Sequence, residues 1–389
     1  MSEFVMMPYQ HPRHFVVPYF IRSIIFVMLV LFLDSCSKDS HGSEPNDCVD
    51  TNFFGNNKRN FKMGFSTWPY APSVDAVETT YNFLSANGDI YSEHIDTNIP
   101  WSAWMSNEPL PQDFVDEIAS RAFRRINPLS LSLSIGLLNL ERDDLALDWD
   151  GSKINYGSIN DSEIEEAYFK HVEYIVDRLN PDYLIIAVEV NGLLLKSQEK
   201  WEGYKALITN VKTRIKEEFP DLKISESIML HQLYDSEVSN PQGYIEEVVN
   251  YMNTMDFASI SFYPFAQGMD SEQDFQEAFD FLHEKMEVPI AFVETGHLSE
   301  DLHVEAFDSL FIPGNECEQN EYLETLLTNA QNQAYNYVIW WGHRDYDELL
   351  EVFPTELKDI GTFWISNGII NEDGREKKAY STWKRAFSR

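Results

Sequence analysis

The sequence predicts a single (β/α)8 barrel, and three observations support this fold class. The chain has 389 residues, 14% of them aromatic, which is enough to bury one large core. From residue 61 onward, short apolar runs alternate with amphipathic stretches through eight rounds. Two of the apolar runs lead directly into a glutamate, Glu189 and Glu294. Eight rounds over roughly 330 residues fit a closed parallel barrel, whereas an open doubly wound sheet more often stops at five or six strands.

The apolar runs place the eight strands, and the amphipathic stretches between them place the helices. Strands are predicted at about residues 61–67, 90–95, 129–137, 183–188, 223–230, 257–262, 288–293 and 337–341. Helices are predicted at about residues 73–84, 111–125, 162–179, 200–219, 244–252, after 271, 320–333 and 377–387.

Local signals set the ends of several elements. Ser162 followed by Glu165 forms a capping box that begins the third helix. Pro220 ends the fourth helix. Turn-forming residues bound the fourth strand, with Asn180-Pro181-Asp182 before it and Asn191-Gly192 after it. The fourth strand is therefore predicted to run up to the first of the two glutamates.

The first 36 residues are predicted to be a bacterial lipoprotein signal peptide. Basic residues precede an apolar run at 24–33 that is too short to span a bilayer. The run leads into Leu33-Asp34-Ser35-Cys36, which resembles a lipobox in which Cys36 is lipidated after cleavage, although Asp34 replaces the usual small residue. A plain secretory signal or an uncleaved anchor are the alternatives, and translation could start at Met6 or Met7.

Residues 37–60 are polar, lack an apolar period and are predicted to be a flexible tether before the barrel at 61–389. We therefore expect a monomer in the bacterial cell envelope, held at the membrane only by its N-terminal lipid. Two cysteines remain after cleavage, Cys48 and Cys317. They either pair in an oxidising compartment or stay as free thiols.

The charge balance narrows the class of ligand. The chain has 29 Lys plus Arg against 64 Asp plus Glu, a formal net charge of -35. Such a charge opposes binding to nucleic acid or to an anionic membrane surface, and it leaves neutral poly- or oligosaccharides open. No cysteine or histidine pair has structural zinc spacing. The acidic run at 143–151 does not complete a calcium-loop pattern, so we expect no metal and no cofactor.

The carboxyl ends of the predicted strands are rich in chemically active side chains. Catalytic groups of a (β/α)8 barrel sit at this face. Glu189 is a candidate general acid, because burial against an apolar strand should raise its pKa. Aromatic rings with polar rims suit the faces and hydroxyl edges of sugars, although each ring alone could equally be core. The candidate substrate-binding residues are Trp68, His94, Trp101, Asn191, His231, Tyr263 and Trp341.

Four segments make the resemblance to a known family specific. They are IIAVEVNG at strand four, ISFYPF at strand six, AFVETG at strand seven and the ending IINEDGREKKAYSTWK. Glutamates at the ends of strands four and seven are typical of the retaining (β/α)8 glycoside hydrolases known as the four-seven clan. Within that clan the chain is most similar to the endo-β-1,4-galactanase family, over most of residues 61–389.

The resemblance implies a role for three residues. Glu189 would be the acid/base, Glu294 the nucleophile, and Tyr263 would orient the nucleophile by a hydrogen bond. A retaining enzyme holds its two carboxyl groups about 5 Å apart, and an inverting enzyme about 6.5 to 9.5 Å apart. The strand-four and strand-seven positions favour the shorter gap. Glu294 should then be ionised, and its charge should help to keep Glu189 protonated.

Two departures from the family bear on the function. Val188 stands where the clan has an asparagine that contacts the sugar 2-hydroxyl, which predicts a lower rate or a different sugar. The loop after strand three, LERDDLALDWDGSKINYG, lacks the aromatic-Ala-Asp-Pro segment of galactanases. Two functions therefore remain: a retaining hydrolase of a polysaccharide, β-galactan-like or another, and a non-catalytic glycan-binding lipoprotein on a decayed barrel.

Overall fold

The computed structural model describes residues 58–304 and 310–389, and within them a ring of parallel strands surrounded by helices confirms the predicted (β/α)8 barrel. Every neighbouring pair in the ring is parallel. The fifth barrel strand is divided by one residue, Glu226, and its halves pair with the fourth and the sixth strands. The barrel strands, numbered one to eight, are Lys62–Ser66, Ile90–Ile95, Ser130–Ile135, Tyr183–Ile185, Lys223–Ser225 with Ser227–Met229, Ala258–Phe262, Ile290–Thr295 and Tyr337–Trp340.

The helices follow the strands in the order that the sequence predicts, with short helices added in the loops. The helices are Val74–Asn87, Trp101–Ser106, Gln112–Phe123, Ser162–Leu179, Asn191–Lys196, Gln198–Glu218, Leu230–Tyr234, Pro241–Met252, Glu272–Lys285, Glu316–Gln333, Asp347–Glu351, Thr355–Thr362 and Lys378–Phe387. A 3-10 turn covers Pro264–Gln267, and Leu302–Val304 pairs with Leu310–Ile312 as a small antiparallel hairpin. Within the described residues, no helix is both long and apolar enough to cross a bilayer.

Among the boundaries that differ from the sequence prediction, three have a clear physical cause. The fourth strand ends at Ile185 rather than at residue 188. Glu189 has a φ of 54°, which is incompatible with strand conformation, so the chain leaves the sheet before it reaches this residue. The helix predicted at 320–333 begins at Glu316, because the Asn315 side chain caps it by accepting hydrogen bonds from the next backbone N–H groups. The last residues of the predicted tether contact the barrel, since Arg59 pairs with Asp89 at 2.6 Å.

The interior of the barrel has an apolar floor and a polar upper part. The floor is a cluster of buried side chains that point into the ring: Ile90, Ile185, Phe257, Ala291, Val293, Tyr337 and Ile339. Because side chains alternate along a strand, Ser92 lies on the same face as Ile90, and Ser259 and Ser261 lie on the same face as Phe257. These small polar residues are fully buried. They line the barrel interior between its apolar floor and the carboxyl ends of the strands.

One cysteine prediction receives a partial answer. Cys317, in the first turn of the helix Glu316–Gln333, is disulfide-bonded, so the free-thiol alternative is wrong for this residue. Its partner lies outside the described residues, as do Cys36 and Cys48. The signal peptide and most of the tether also lie outside them.

A buried glutamate connects the fifth strand to the helices around it. Glu226 is fully buried between the two halves of the strand. It accepts hydrogen bonds from the hydroxyls of Tyr204 and Tyr251, the latter at 2.7 Å, which lie on two different outer helices. Burial raises the pKa of Glu226 to about 7. The folded protein therefore binds a proton here more tightly than the unfolded chain does.

We predict that Glu226→Gln makes the protein relatively more stable as the pH rises. A carboxyl whose pKa is raised on folding loses stability between its unfolded pKa, about 4.3, and its folded pKa, and the neutral amide does not. Denaturant unfolding at pH 5 and pH 8 measures the effect. The variant should gain up to about 3 kcal/mol on the wild type over this interval. The exposed Glu217→Gln, on one of the same helices, is the control. Equal pH dependence in the wild type and Glu226→Gln would contradict the prediction.

Candidate active site

The two glutamates converge above the polar part of the barrel. Glu189 follows the fourth strand, and Glu294 lies in the seventh. Ser261, in the sixth strand, lies between them, with its Oγ 2.8 Å from Oε1 of Glu189 and 3.2 Å from Oε1 of Glu294. These two carboxylate oxygens therefore cannot be more than about 6 Å apart. Such a gap suits a direct attack on the anomeric carbon by one carboxylate better than it suits a water placed between the two.

The backbone of Glu189 is held by the fifth strand. Ser227 accepts the Glu189 backbone N–H on its Oγ at 2.8 Å, and its carbonyl accepts the N–H of Val190 at 2.9 Å. The φ of Glu189 is 54°, in the left-handed region that non-glycine residues seldom occupy. Such a conformation persists where surrounding contacts impose it, and it directs the side chain to a position that a regular strand would not reach.

A register shift between the sixth and seventh strands places Ser261 beside Glu294. Ile260 is paired with Phe292, and the next residue, Ser261, is paired with Glu294, so one strand has an extra residue at this point. An irregularity of this kind re-aims side chains at the end of a strand. As a result the Ser261 side chain reaches both carboxylates.

Arg142 forms an ion pair with Glu189. Its Nη2 is 3.1 Å from Oε2 of Glu189 and 2.6 Å from Oδ2 of Asp96, and its side chain is only 9% exposed. Arg142 also has a positive φ, of 54°. Gly192 makes room for it, since a Cβ at that position would lie 2.7 Å from the Cβ of Arg142. The guanidinium is thus built into the site and bridges two carboxylates.

The charges around Glu294 run against the sequence-based expectation that it is the ionised member of the pair. Burial raises the pKa of Glu294, and the nearby charge of Glu189 adds to the rise. The positive charge of Arg142 and a hydrogen bond from Ser261 act in the opposite direction. Arg142 contacts Glu189 and not Glu294. Among the described residues, His94 is therefore the only side chain close to Glu294 that could carry a positive charge, and it would do so only when protonated.

His94, in the second strand, and Tyr263, which follows the sixth strand, flank Glu294. The Nδ1 of His94 is 3.4 Å from Oε2 of Glu294, and burial lowers the pKa of His94, which favours the neutral ring. Tyr263 is buried, and its pKa is raised well above the usual value by burial and by the charges of Glu294 and Glu189. Both side chains therefore meet the carboxyl group as neutral hydrogen-bonding partners.

Two tryptophans line one side of this group. The Trp341 ring meets the edge of His94 with centroids 5.2 Å apart, and it lies 5.6 Å from the ring of Trp68. Both tryptophans are partly buried, so each keeps some free ring surface. An aromatic wall next to a pair of carboxyl groups is a surface on which a sugar ring can stack.

Two of the predicted substrate-binding residues are parts of the core. Trp101 is fully buried, and its indole N–H donates to the carbonyl of Ala146 at 2.9 Å. Asn191 is also fully buried. Its amide donates to the Met229 carbonyl and the Tyr244 hydroxyl, and it accepts the Met229 N–H. These side chains have no free surface or hydrogen-bonding capacity to offer a sugar.

His231 lies close enough to Glu189 for the charge of that carboxylate to affect it. Burial lowers the pKa of His231 to about 4, and the negative charge of Glu189 partly offsets this effect. Its Nδ1 has no hydrogen-bond partner among the described residues. Of the seven predicted substrate-binding residues, three lie beside the glutamates: His94, His231 and Tyr263. Trp341 packs against His94, and Trp68 packs against Trp341.

The structure adds three residues that the sequence analysis did not assign to the site: Ser261, Asp96 and Arg142. A serine two positions before Tyr263 lies on the same strand face, which is the signal that could have found Ser261. Asp96 follows the second strand directly. Arg142 is the only arginine in the segment LERDDLALDWDGSKINYG after the third strand, and no periodic pattern places it.

The acidic groups that could hold a metal are elsewhere. In the described part of the chain, Glu300, Asp345 and Glu372 can bring one ligand oxygen each to within 4.8 Å of the others. Asp345 is already paired with the buried Lys377, at 2.5 Å between Oδ2 and Nζ. The other two are exposed. Acidic surface groups of this kind are common without an ion, so nothing here assigns a metal.

Comparison with known proteins agrees with this geometry. The family model described as Glycosyl hydrolase family 53 matches residues 160–341, a segment that contains both glutamates. Comparison with curated protein sequences gives no match.

Solved structures of similar fold include several glycoside hydrolases. The GH53 catalytic domain of Ignisphaera aggregans has a TM-score of 0.56 at 13% identity, covering 87% of this chain and 99% of that one. A structure of fungal β-1,4-galactanases has a TM-score of 0.56 at 14% identity, covering 84% and 99%. A GH5_18 protein of Bifidobacterium longum subsp. infantis has a TM-score of 0.60 at 14% identity, covering 85% and 79%.

At these identities the structural likeness shows the fold, and the family match adds the type of protein. The match spans somewhat less than half of the chain, and the structural likeness extends the comparison over most of the barrel. Taken together with the two glutamates at the ends of the fourth and seventh strands, they identify the chain as a divergent (β/α)8 glycoside hydrolase that resembles glycosyl hydrolase family 53.

Proposed function

We propose that the protein hydrolyses a neutral poly- or oligosaccharide with retention of anomeric configuration, with Glu189 as the acid/base and Glu294 as the nucleophile. The observation that carries the proposal is the single hydroxyl of Ser261 within hydrogen-bonding distance of both carboxyl groups. The nearest oxygens of the two groups are no more than about 6 Å apart, which is shorter than the roughly 6.5 to 9.5 Å separation of inverting enzymes and favours direct attack by one carboxylate.

The chemistry assigns a different task to each glutamate. A sugar oxygen is a poor leaving group until it is protonated, and Glu189 would supply that proton. Glu294 would attack the anomeric carbon and form a glycosyl-enzyme, which water then hydrolyses with Glu189 as the base. His94 and Tyr263 would hold Glu294 in line for this attack, because they flank its carboxyl group.

The substrate class follows from the walls of the site and from the charge of the chain. Trp341 packs against His94, which contacts Glu294, and Trp68 packs against Trp341, so the two rings extend away from the glutamate pair. The net charge of -35 disfavours an acidic polymer. The similarity to structures described as β-1,4-galactanases makes a β-galactan-like polymer the first candidate. Val188, which is buried and brings no polar group, leaves a gap in the expected contact with the sugar 2-hydroxyl.

One observation favours a second function, glycan binding without hydrolysis. Arg142 pairs with Glu189 in the geometry that stabilises a charged carboxylate, and a charged Glu189 has no proton to give to a leaving group. A barrel that bound sugar through its tryptophans, while Glu189 stayed charged and could not donate a proton, would be a binding protein. Measurement of catalysis separates the two functions.

We predict that Glu189→Gln and Glu294→Gln each lower the release of reducing sugar from a responsive polysaccharide at least about 100-fold while folding is preserved. A panel of β-galactan, β-glucan and β-mannan serves to find that substrate. The two variants should differ on an aryl glycoside with a good leaving group, because departure then needs no acid: Glu189→Gln should still release the aryl group, and Glu294→Gln should not.

The exposed Glu217→Gln is the control for these variants and should match the wild type. Wild-type turnover in either active-site variant would remove that residue from the mechanism. A wild-type protein that binds one of the polymers but cleaves none would instead establish the glycan-binding function.

We also propose that the protein is a lipoprotein of the bacterial cell envelope, anchored through Cys36. The support is the apolar run that ends in Leu33-Asp34-Ser35-Cys36 and the polar segment that follows it. We predict that Cys36→Ala moves the full-length protein from the membrane fraction to the soluble fraction, since the change removes the point of lipid attachment. Cys48→Ala is the matched control and should remain with the membrane. Persistent membrane association of Cys36→Ala would disprove the lipid anchor.

A further inference from the structure

The helix Glu316–Gln333 runs from the active-site end of the barrel to the opposite end. It follows the seventh strand and leads into the eighth, so it begins at the carboxyl ends of the strands. Near its start the Gln319 amide donates to the carbonyl of His297, just beyond the end of the seventh strand, at 2.9 Å. Cys317 therefore lies at the end of the barrel that holds the two glutamates, and it is disulfide-bonded.

The chain enters the barrel at the other end of this same helix. Asn60 donates from its backbone N–H to Oε1 of Gln331 at 3.2 Å and from its side-chain amide to the Gln331 carbonyl at 3.0 Å. The Gln331 amide donates in turn to the carbonyl of Lys58 at 3.2 Å. The segment before the first strand is thus fixed roughly 21 Å along the helix from Cys317, since each helical residue rises about 1.5 Å.

Only two other cysteines can be the partner of Cys317, and both lie outside the described residues. At Cys36 the sulfur would carry the lipid, and a sulfur that carries a lipid is no longer a thiol and cannot form a disulfide. Cys48 precedes Lys58 by ten residues. A chain of that length reaches up to about 33 Å, which is enough to span the helix from Lys58 to Cys317.

We propose that Cys317 is bonded to Cys48, and that this bond attaches the lipid anchor at the active-site end of the barrel, so that the cleft faces the membrane surface. The inference rests on the proposed lipid anchor. The chain from Cys36 to Cys48 spans at most about 40 Å, which keeps the rim of the barrel near Cys317 within that distance of the lipid. Without the bond the anchor would join the barrel at Lys58, and the opposite end would be held toward the membrane.

The bond itself forms by thiol–disulfide exchange. The thiols of Cys48 and Cys317 lose two protons and two electrons, and an external disulfide in the cell envelope accepts them and becomes two thiols. The reverse reaction with a reducing dithiol would move the anchor from one end of the barrel to the other.

The charge of the chain keeps the open end of the barrel from lying flat on the lipid. A net charge of -35 is repelled by an anionic membrane surface. At physiological ionic strength this repulsion acts over about 8 Å, which is less than the reach of the anchor. The cleft then opens into a shallow layer next to the membrane. We therefore expect the anchored protein to act on short neutral oligosaccharides, which enter this layer more easily than a long soluble polymer does.

The bond is tested by cutting the chain between Cys48 and the barrel. A recognition site for a specific protease, inserted after Thr51 of the full-length protein, allows this cut. The barrel of the cut protein should stay in the membrane fraction until a reducing agent is added. Cys48→Ser is the matched variant, and in it the cut alone should release the barrel. Release of the barrel without reductant when both cysteines are present overturns the proposal.

The same sample separates the disulfide from the anchor. If the uncut protein is already soluble, the lipid anchor fails and the proposed orientation fails with it. Mass spectrometry of the cut and unreduced protein then still shows whether the fragment that contains Cys48 is bonded to Cys317. A bond between Cys317 and Cys36 would overturn both proposals.

Energy transfer from tryptophan to dansyl-labelled lipid reports the orientation without a substrate. Tryptophans are concentrated at strand ends and in the loops that follow the strands, with Trp68, Trp101, Trp149, Trp341 and Trp364 among them. The two ends of the barrel are roughly 27 Å apart, the length of an 18-residue helix. In phosphatidylcholine vesicles the full-length wild type should therefore show at least about twofold more transfer than Cys48→Ser. Equal transfer in the two proteins overturns the orientation.

Kinetics test the consequence for the substrate. On vesicles, Cys48→Ser should cleave a long soluble polysaccharide at least about threefold faster than the wild type, and the two should be equal on an aryl glycoside and in detergent. Equal rates on the polymer would overturn the expected preference for short glycans. If neither protein cleaves a glycoside, the proposed hydrolysis fails, while release and energy transfer still decide how the barrel is anchored.

Discussion

The repulsion between two carboxylates in a buried site is the constraint on which the rest of this structure depends. At a separation of a few ångströms and away from water, two negative charges interact far more strongly than they would in solvent. Glu189 and Glu294 are held within this range by the barrel itself, through the fourth, sixth and seventh strands. The surrounding groups differ between the two sides, since Arg142 pairs with Glu189 and a neutral His94 lies beside Glu294.

The fifth strand supports the position of Glu189 within this pair. Ser227 fixes the backbone of Glu189, and one residue earlier the buried Glu226 ties the strand to two outer helices through tyrosine hydroxyls. Glu226 also joins the two halves of the strand that close the ring. The acid/base candidate thus depends on a neighbouring strand for its unusual backbone conformation, and not on its own strand alone.

The fold and the two glutamates could be predicted from the sequence because both follow from the pattern of apolar strand-length runs. An apolar run that ends in a carboxylate places that carboxylate at the carboxyl end of a parallel strand, where a barrel has its active site. Trp101 and Asn191 could not be judged in the same way, because loops and short helices bury some side chains near strand ends and expose others. Arg142 was missed for a related reason: its position depends on a positive φ and on the space left by Gly192, and neither has a periodic signal.

Val188 and Arg142 lie in the same part of the site, beside the acid/base candidate. Val188 brings no polar group to the position before Glu189, and Arg142 pairs with the Glu189 carboxylate. Both residues lie beside Glu189, while Tyr263 lies beside Glu294 as the resemblance implies. A change of sugar or of linkage is therefore more consistent with the structure than a loss of the nucleophile.

The most direct test of retaining hydrolysis by this pair is the anomeric configuration of the product at the moment it forms. Proton NMR during rapid cleavage of a β-linked oligosaccharide, at enzyme concentrations that outpace mutarotation, reports it. The close spacing of Glu189 and Glu294 predicts that the β-anomer appears first and that the α-anomer grows in only as the sugar equilibrates. Initial formation of the α-anomer would show that water attacks directly, and it would contradict the assignment of Glu294 as the nucleophile.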